Sequence, residues 1–461
     1  MKAFTVLVAI GVIIGALFGL SAIAYVIGGL LGPWAWVTNL LILVLGFVMI
    51  IATFLTLAER KWSAMMQDRI GPNRATIGLP GLRGRPLGGV FHVATDAIKM
   101  LTKEDFRPKI ADPLLFGLAP ILAFAPVLAL FAVVPVGPVV TVFGHRVGLQ
   151  IANPDFGMLW VFAIASLAVY GTSLAGWASN NKFALLGGVR ASSQMISYEV
   201  ALGLGLVGAM MAFSSLRLPD IIAGQTNHLW GSSEELGILG KVGIPAWGIF
   251  LQPVGFILFF AAAFAETKRA PFDVPEGESE IIGYFVEYSG MKFGLFMISE
   301  FAEVVILAAI TAAIFLGGWN IGFGFDSTLT RALTQANLGW LLGAIYATIF
   351  WVKVLLLCYI QLAIRWTFPR FRYDQIQTLG WKILLPLALA NIFITGALIL
   401  VDPSLRALAV LGFVVIAFVF ALTLRRPEPA AGHDTDDAHL PADAHGHAPA
   451  PLPGAAAASH H

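Results

Sequence analysis

Six carboxylates lie close together in one stretch of the chain, residues 265–292. The stretch separates apolar runs that are long enough to cross a bilayer, although only 12% of all residues are charged. Acidic side chains at membrane depth cost about 2.5 to 3.5 kcal/mol each, so they usually mark an ion path, a proton path or a water-filled cavity. The six are Glu266, Asp273, Glu276, Glu278, Glu280 and Glu287.

The spacing of three of these carboxylates suits proton transfer. If the segment is helical, Glu276 and Glu280 stand one turn apart and Glu287 follows two turns later, so the three stack on one face. Carboxylates this close cannot all stay ionised, and some of them would hold protons near neutral pH. A salt-bridge network with the neighbouring lysines and arginine is the structural alternative.

Two further acidic residues, Glu300 and Glu303, lie inside the next apolar run. They are three residues apart, so a helix would place them on the same face. Proton transfer is one interpretation. The alternative is an ion pair with Lys292 or with a neighbouring subunit.

The composition predicts an all-α polytopic membrane protein. Of the 461 residues, 58% are hydrophobic, and the mean hydropathy is +0.83. The 28 basic and 27 acidic residues nearly balance, so the net charge gives no attraction for nucleic acid. The single cysteine, Cys358, excludes disulfides, thiolate zinc sites and iron-sulfur clusters held by this chain alone.

Apolar stretches predict about ten transmembrane helices. If Lys2 lies in the cytoplasm, alternation places 22 Lys and Arg on the cytoplasmic side and only five on the other, with Lys353 inside a span. The positive-inside rule then places both termini in the cytoplasm. The predicted spans are 4–30, 36–58, 114–134, 157–178, 193–213, 247–265, 293–318, 339–364, 380–401 and 405–424.

Two cytoplasmic segments have the pattern of helices that lie in the membrane interface. One begins at Glu59 and ends before Gly71-Pro72, and the other runs from Val90 to Lys103. The first span has a second interpretation, because Ala22-Ile23-Ala24 resembles a signal-peptide cleavage site. Gly203-x-Gly205-x-x-Gly208 matches a dinucleotide fingerprint, but its position in an apolar span favours close helix packing.

Several long strings resemble one family, the H subunit of bacterial NADH:quinone oxidoreductase, respiratory complex I. The resemblance covers about residues 36–403, and the strings occur in the family's order and spacing. They are ERK, RIGPNR, DAIKMLTKED, SYE, AETKRAPFDVPEGESE, EYSGMKFG and PRFRYDQ.

The resemblance implies a subunit with eight core transmembrane helices that forms a tunnel for a lipid-soluble quinone. The chain would bind no cofactor, because NADH, FMN and iron-sulfur clusters would belong to partner subunits, and alone it would catalyse no redox reaction. Carried over by motif, the tunnel residues are Arg60, Arg69, Asp96, Lys99, Arg190, Phe272, Asp273, Arg370 and Arg372. The carboxylates linked to proton transfer are Glu199, Glu266, Glu276, Glu278, Glu280, Glu287, Glu300 and Glu303.

The same resemblance implies a place in the bacterial inner membrane and a set of partners. The acidic stretch, the first cytoplasmic loop and residues 365–375 should meet on the cytoplasmic face, against peripheral subunits that complete the quinone site. Other membrane-arm subunits and lipid would surround the helices.

The predicted organisation has four parts. Residues 1–35 form an extra N-terminal helix, 36–403 the family core, 404–426 an extra C-terminal helix, and 427–461 a disordered tail. The tail holds six of the nine histidines, which either bind metal or form a solvated end.

Two other functions stay open on the sequence. One is the equivalent subunit of a membrane-bound hydrogenase or of a quinone reductase with another electron donor. The other is a secondary cation/proton transporter, since intramembrane carboxylates also serve transport. A transporter would contain an inverted repeat with broken helices, and the sequence has no such self-similarity.

Overall fold

The computed structural model describes residues 2–76, 87–230, 244–274, 283–322, 325–336 and 338–424. These residues are mainly helical, which confirms the predicted all-α class. Residues up to Ile416 form one compact unit, and a second unit begins at Ala417, within the last helix. Glu276, Glu278, Glu280 and the tail fall outside the described residues.

The first seven described helices lie between Lys2 and Phe213. They are α1 (Lys2–Leu31), α2 (Ala35–Asn39), α3 (Met49–Met66), α4 (Phe91–Thr102), α5 (Pro113–Leu130), α6 (Gly157–Ala178) and α7 (Lys182–Phe213). A π-helical stretch, Leu40–Val48, joins α2 to α3 without a break, and single 3-10 turns occur at Gly32–Trp34, Leu87–Gly89 and Phe131–Val133.

From Leu218 onward, nine more helices lie within the described ranges. They are α8 (Leu218–Gly224), α9 (Gly248–Leu251), α10 (Pro253–Glu266), α11 (Gly290–Phe315), α12 (Phe325–Gln335), α13 (Gly339–Thr367), α14 (Tyr373–Thr378), α15 (Leu385–Val401) and α16 (Arg406–Leu424). The π-helical stretch Leu379–Leu384 joins α14 to α15. Two antiparallel hairpins pair β1 (Val140–Val142) with β2 (His145–Val147) and β3 (His228–Trp230) with β4 (Ile244–Pro245).

Eight helical runs among the described residues are long and apolar enough to cross a membrane. The first, Ile10–Met66, has 57 residues, and at about 1.5 Å per residue it is far longer than a hydrocarbon core of about 30 Å. The run reverses direction at Gly32–Trp34, where Gly32 has a positive φ of 54°. The two arms then pack against each other: a Cβ added at Gly46 would lie 3.4 Å from the Leu20 side chain of α1. The run therefore provides two predicted spans, and all ten predicted spans fall on helices.

The sixth predicted span, 247–265, is broken. Helix α9 ends at Leu251 and α10 begins at Pro253, with Gln252 between them at φ −135° and ψ 58°. Proline has no N–H to donate and is favoured at the first position of a helix, so the break falls where the sequence permits it. Asn391 donates to Gln252 Oε1 at 2.9 Å, and Gln252 donates to Thr395 at 2.8 Å, which satisfies the polar side chain at the break.

The structure corrects two predicted boundaries. Helix α7 begins at Lys182, well before the predicted start at 193, because the Asn181 side chain accepts from Phe183 N at 3.0 Å and caps it. The residues from Glu59 onward do not form a separate interfacial helix, since α3 continues unbroken to Met66. The second predicted helix, 90–103, is present as α4, and none of its residues is buried. Its place in the membrane interface stays a prediction.

Close helix packing explains the glycine pattern in α7. A Cβ at Gly205 would lie 3.2 Å from the backbone nitrogen of Phe259 in α10. The predicted packing role is therefore confirmed at Gly205, and the element that directly precedes α7 is the helix α6, not a strand.

Asp402 shapes the connection between α15 and α16. Its carboxylate accepts from Ser404 N at 2.9 Å, from Ser404 Oγ at 2.6 Å and from Ala407 N at 2.9 Å. These hydrogen bonds hold the pKa of Asp402 below its usual value, and the bond from the Ser404 side chain has the largest effect. The loop is thereby fixed by an ionised side chain at the start of a helix.

Candidate functional site

Three distant segments meet at one end of the helices. Glu59, near the end of α3, accepts from Arg269 Nη1 at 2.6 Å and lies 2.9 Å from Arg365 Nη1. Arg269 follows α10, and Arg365 lies in the last turn of α13. These contacts confirm that the first loop, the acidic stretch and residues 365–375 come together. Their place on the cytoplasmic face, against peripheral subunits, stays a prediction.

The loop after α10 is held in place by hydrogen bonds at both of its ends. Gln194 of α7 donates to Ala265 O at 2.7 Å and to Phe272 O at 2.8 Å. Thr267 donates to Phe264 O at 2.8 Å, and Lys268 adopts a positive φ of 54°. Because the loop is buried, its backbone carbonyls need such partners, and the glutamine supplies them.

Helix α11 adds the two acidic residues predicted inside its apolar run. Arg269 Nη2 lies 3.7 Å from Glu300, and Tyr284 donates to Glu300 Oε1 at 3.1 Å. Lys268 Nζ lies 3.9 Å from Glu303. The side chains of both pairs are at most 8% exposed, so each charge depends on its partner for stabilisation.

We define the buried charge cluster as Glu59, Lys268, Arg269, Glu300, Glu303 and Arg365. The alternative pairing of Glu300 or Glu303 with Lys292 is wrong, because Lys292 pairs with Asp105 at 2.8 Å.

Glu266, at the end of α10, lies beside the cluster in a different environment. It is buried, and neither of its carboxyl oxygens receives a hydrogen bond from the described residues. Glu303, Glu199 and Lys268 are its electrostatic neighbours, and Glu199 of α7 is only half-buried. A carboxyl group without a fixed donor can exchange a proton without breaking an ion pair.

A second ion pair links two of the predicted tunnel residues. Arg370 Nη2 donates to Asp273 at 2.8 Å, and Phe371 N donates to Pro271 O at 3.0 Å. Phe272 is buried between the rings of Tyr198, Phe264 and Phe371, with centroids 5.5 to 6.1 Å away. An apolar ring thus lies directly beside a charged pair.

Arg190 and Arg372 lie at the same end. Arg190 lies over the Tyr373 ring, 5.6 Å from its centroid, and Tyr373 is also hydrogen-bonded to Ser193 at 3.0 Å. Arg372 is exposed, and its backbone N–H donates to Gln375 Oε1 at 3.0 Å.

Two open cavities flank Arg60, which donates to Asp96 of α4 at 2.6 Å. One, of about 370 Å³, is lined by Arg60, Asp96, Lys99 and Tyr288 among others. The other, of about 520 Å³, is lined by Glu59, Arg60, Arg69 and Trp366 among others. Burial raises the pKa of Tyr288, so its phenol stays protonated in this cavity wall.

Glu287 has its hydrogen-bond partner outside the buried charge cluster. It accepts from Asn181 Nδ2 at 2.7 Å, at the start of α7. Residues 283–289 form a turn and loop, so the predicted helical stacking of carboxylates does not extend to Glu287. A glycine at φ 119°, Gly283, opens this turn in a conformation that other residues rarely adopt.

The site residues predicted from the sequence lack four members of the buried charge cluster: Glu59, Lys268, Arg269 and Arg365. Each is a charged residue directly beside an apolar run, and this was the available indication. Their importance depends on mutual distances across three helices, which residue spacing along the chain does not contain.

Comparison with known proteins identifies the family of this chain. The family model described as NADH dehydrogenase matches residues 38–396. The chain is 41% identical over 353 residues to the NADH-quinone oxidoreductase H subunit 1 of Cytophaga hutchinsonii, covering 76% of this chain and 93% of the relative. It is 43% identical over 352 residues to the NADH-quinone oxidoreductase H subunit 2 of Geobacter sulfurreducens, covering 76% and 92%.

A third relative extends the agreement. The NADH-quinone oxidoreductase H subunit of Flavobacterium psychrophilum is 40% identical over 362 residues, which cover 78% of this chain and 96% of the relative. Membrane-crossing helices, buried ion pairs and these similarities lead to one assignment. The chain belongs to the family of NADH-quinone oxidoreductase H subunits, and it is a multi-pass membrane subunit of that oxidoreductase complex.

Proposed function

We propose that this subunit guides a quinone to its reduction site and passes the effect of quinone reduction to a chain of carboxylates. The observation that supports this proposal is a continuous series of charged groups at one end of the helices. Arg60 lines both open cavities, its neighbour Glu59 binds Arg269, and Arg269 contacts Glu300 inside α11. A change of charge at the cavities can therefore act on a buried carboxylate through adjacent pairs.

The tunnel residues have the mixed chemistry that a quinone requires. The isoprenoid tail needs apolar walls, and the head needs a few polar groups. Phe272 beside the Asp273–Arg370 pair provides both within one loop. Arg60, Arg69, Asp96 and Lys99 provide polar groups around the two cavities. Arg190 and Arg372 complete the proposed tunnel on the basis of the family resemblance.

The proton-linked carboxylates divide into two types. Glu300 and Glu303 are ion-paired, whereas Glu266 has no fixed donor among the described residues and Glu199 is half-buried. We infer that protons pass through the unpaired group while the pairs on α11 respond to charge. Glu276, Glu278, Glu280 and Glu287 extend this proposal on the basis of the family resemblance.

We further propose that the buried charge cluster faces the cytoplasm of a bacterium, at the inner membrane, with both termini on that side. Peripheral subunits carrying FMN and iron-sulfur clusters would complete the quinone site, and this chain would hold none of these groups. Residues 1–35 and 404–426 would be additions to the eight-helix core.

The test compares Glu303→Gln with Asp155→Asn in the assembled complex. Gln keeps the size of the side chain and removes the charge that pairs with Lys268, so proton pumping per assembled complex in sealed vesicles should fall. Asp155 is a matched control because it is 91% exposed, in an ion pair with Arg217 away from the buried charge cluster. Unchanged pumping in Glu303→Gln would contradict the proposal for α11.

A secondary transporter is the alternative from another class. One feature favours it, the broken helix at Gln252, since transporters bind ions at such breaks. Gln252 is hydrogen-bonded to Asn391 and Thr395, however, so this break is already satisfied by side chains. Ion flux through the isolated chain in liposomes would support the transporter.

A further inference from the structure

Lys353 is a basic residue in the middle of a membrane-crossing helix, α13. Its ammonium group donates to three backbone carbonyls: Leu316 O at 2.6 Å, Gly318 O at 3.0 Å and Asn320 O at 2.6 Å. The same nitrogen lies 4.6 Å from the centroid of the Trp247 ring. A charged group at membrane depth is expensive unless it is satisfied in this way.

The number of hydrogen bonds indicates the charge state of Lys353. An ammonium group has three N–H donors and no lone pair, whereas a neutral amine has two donors and a lone pair. Three carbonyl partners use all three donors, and a neutral amine would direct its lone pair at a carbonyl oxygen. The three carbonyls therefore match the three donors of the cationic form of Lys353.

The three carbonyls belong to the turn that follows α11. The last carbonyls of a helix have no partner within the helix, and the negative end of its dipole attracts a cation. Gly317 and Gly318 have φ values of 74° and 56°, which reverse the chain at this point. Asp326, the acidic neighbour of Lys353, accepts from Ile321 N at 3.0 Å and from Gly322 N at 2.8 Å. Lys353 thus binds the carbonyls of this turn, and the Asp326 carboxylate binds its amides.

The same two helices are also connected at their other ends. Arg365 of α13 and Arg269 both bind Glu59, and Arg269 contacts Glu300 of α11. Glu300 and Leu316, the first residue whose carbonyl Lys353 holds, are separated by about 24 Å of helix. Two connections that far apart fix how α11 lies along α13, whereas one connection would allow sliding or tilting.

We propose that Lys353 is a positioning residue that sets the register of α11, and with it the distances of Glu300 and Glu303 from Arg269 and Lys268. The inference rests on the function proposed above for these two carboxylates. Lys353 touches neither of them and acts through the rigid helix between them.

The test uses Lys353→Met in the assembled complex, with Lys382→Met as the matched control. Met keeps a similar length and removes the charge, and Lys382 is exposed on the π-helical stretch before α15. For equal amounts of complex, we expect Lys353→Met to lower pumping about tenfold or more, since small misplacements of functional groups have large effects. The pH at which pumping is half-maximal should also move, which a loss of complex alone would not cause.

Chemical rescue covers the case in which Lys353→Met does not assemble. Lys353→Ala removes the atoms of an n-propylammonium ion, and an open cavity of about 650 Å³ lies beside the site, lined in part by Asn320 and Asp326. Added n-propylammonium should restore complex and pumping. Tetramethylammonium has the same charge but no N–H donor and should not. Equal effects of the two cations would overturn the proposal.

Comparison with Glu303→Gln distinguishes a failure of the positioning role from a failure of the proposed function. If Glu303→Gln lowers pumping and Lys353→Met leaves both pumping and its pH midpoint unchanged, the positioning role is overturned and the proposed function stands. If Lys353→Met lowers pumping and Glu303→Gln does not, the function of the α11 carboxylates fails, and this inference fails with it.

Discussion

Arg269 Nη1 lies 2.6 Å from Glu59 Oε2, although 210 positions separate the two residues in the chain. The contact joins the end of α3 to the loop after α10. Arg269 also lies 3.7 Å from the centroid of the Phe301 ring, so its guanidinium is enclosed by a carboxylate and an aromatic face. This one side chain connects the open cavities with the acidic residues of α11.

Arg269→Met should destabilise the subunit. It leaves Glu59 and Glu300 buried with one cation fewer, and removing one partner of a buried pair costs about 3 to 5 kcal/mol. We expect less assembled complex and a lower Tm. In the double variant with Glu59→Gln, the loss should be smaller than the sum of the single losses, because the two residues contact each other. Additive losses would show that the contact contributes little.

Arg60→Ala should weaken quinone reduction without a matching loss of stability. The Arg60 and Asp96 side chains are 51% and 30% exposed, and exposed pairs contribute only about 0 to 1 kcal/mol. NADH-to-ferricyanide activity, which needs only the flavin half-reaction, should stay intact. A parallel fall of both activities would point to assembly, and no change in either would remove Arg60 from the tunnel.

Arg370→Ala should also impair quinone reduction, and it should lower the stability of the subunit more than Arg60→Ala does. Asp273 has a side chain only 5% exposed, and loss of its arginine partner leaves a buried carboxylate less well compensated, at a cost of about 1 to 3 kcal/mol. Adding Asp273→Asn should recover part of this stability but not the quinone reductase rate. Recovery of both would mean that the pair serves folding alone. Lys382→Met is again the control for loss of a positive charge.

Gly205→Leu should prevent close approach of α7 and α10. Its Cβ would lie 3.2 Å from Phe259 N, a backbone atom that cannot rotate away, and overpacking costs about 1 to 3 kcal/mol. Gly203→Leu is the matched control, since its Cβ would meet only the Phe162 ring at 3.9 Å. The amount of assembled complex should fall in the first variant only. Equal amounts in both would argue against glycine-dependent packing.

Much of the architecture follows from the sequence itself. A helix that crosses lipid must satisfy its backbone hydrogen bonds internally and present apolar side chains, so about twenty consecutive apolar residues indicate a span. All ten predicted spans fall on helices for this reason. The family strings also identify the subunit, because long motifs in a fixed order are specific even where their chemistry is not understood.

Only the tertiary structure decided which charges are partners. Glu300 was compatible with Lys292 by spacing, yet Lys292 binds Asp105 and Glu300 contacts Arg269. The breaks and reversals at Gln252, Gly317 and Gly318 brought distant groups together, and Lys353 received its three carbonyls from the turn after α11. An ion pair or a hydrogen bond depends on distances of a few ångström in space, and the folding of long helices against one another sets those distances.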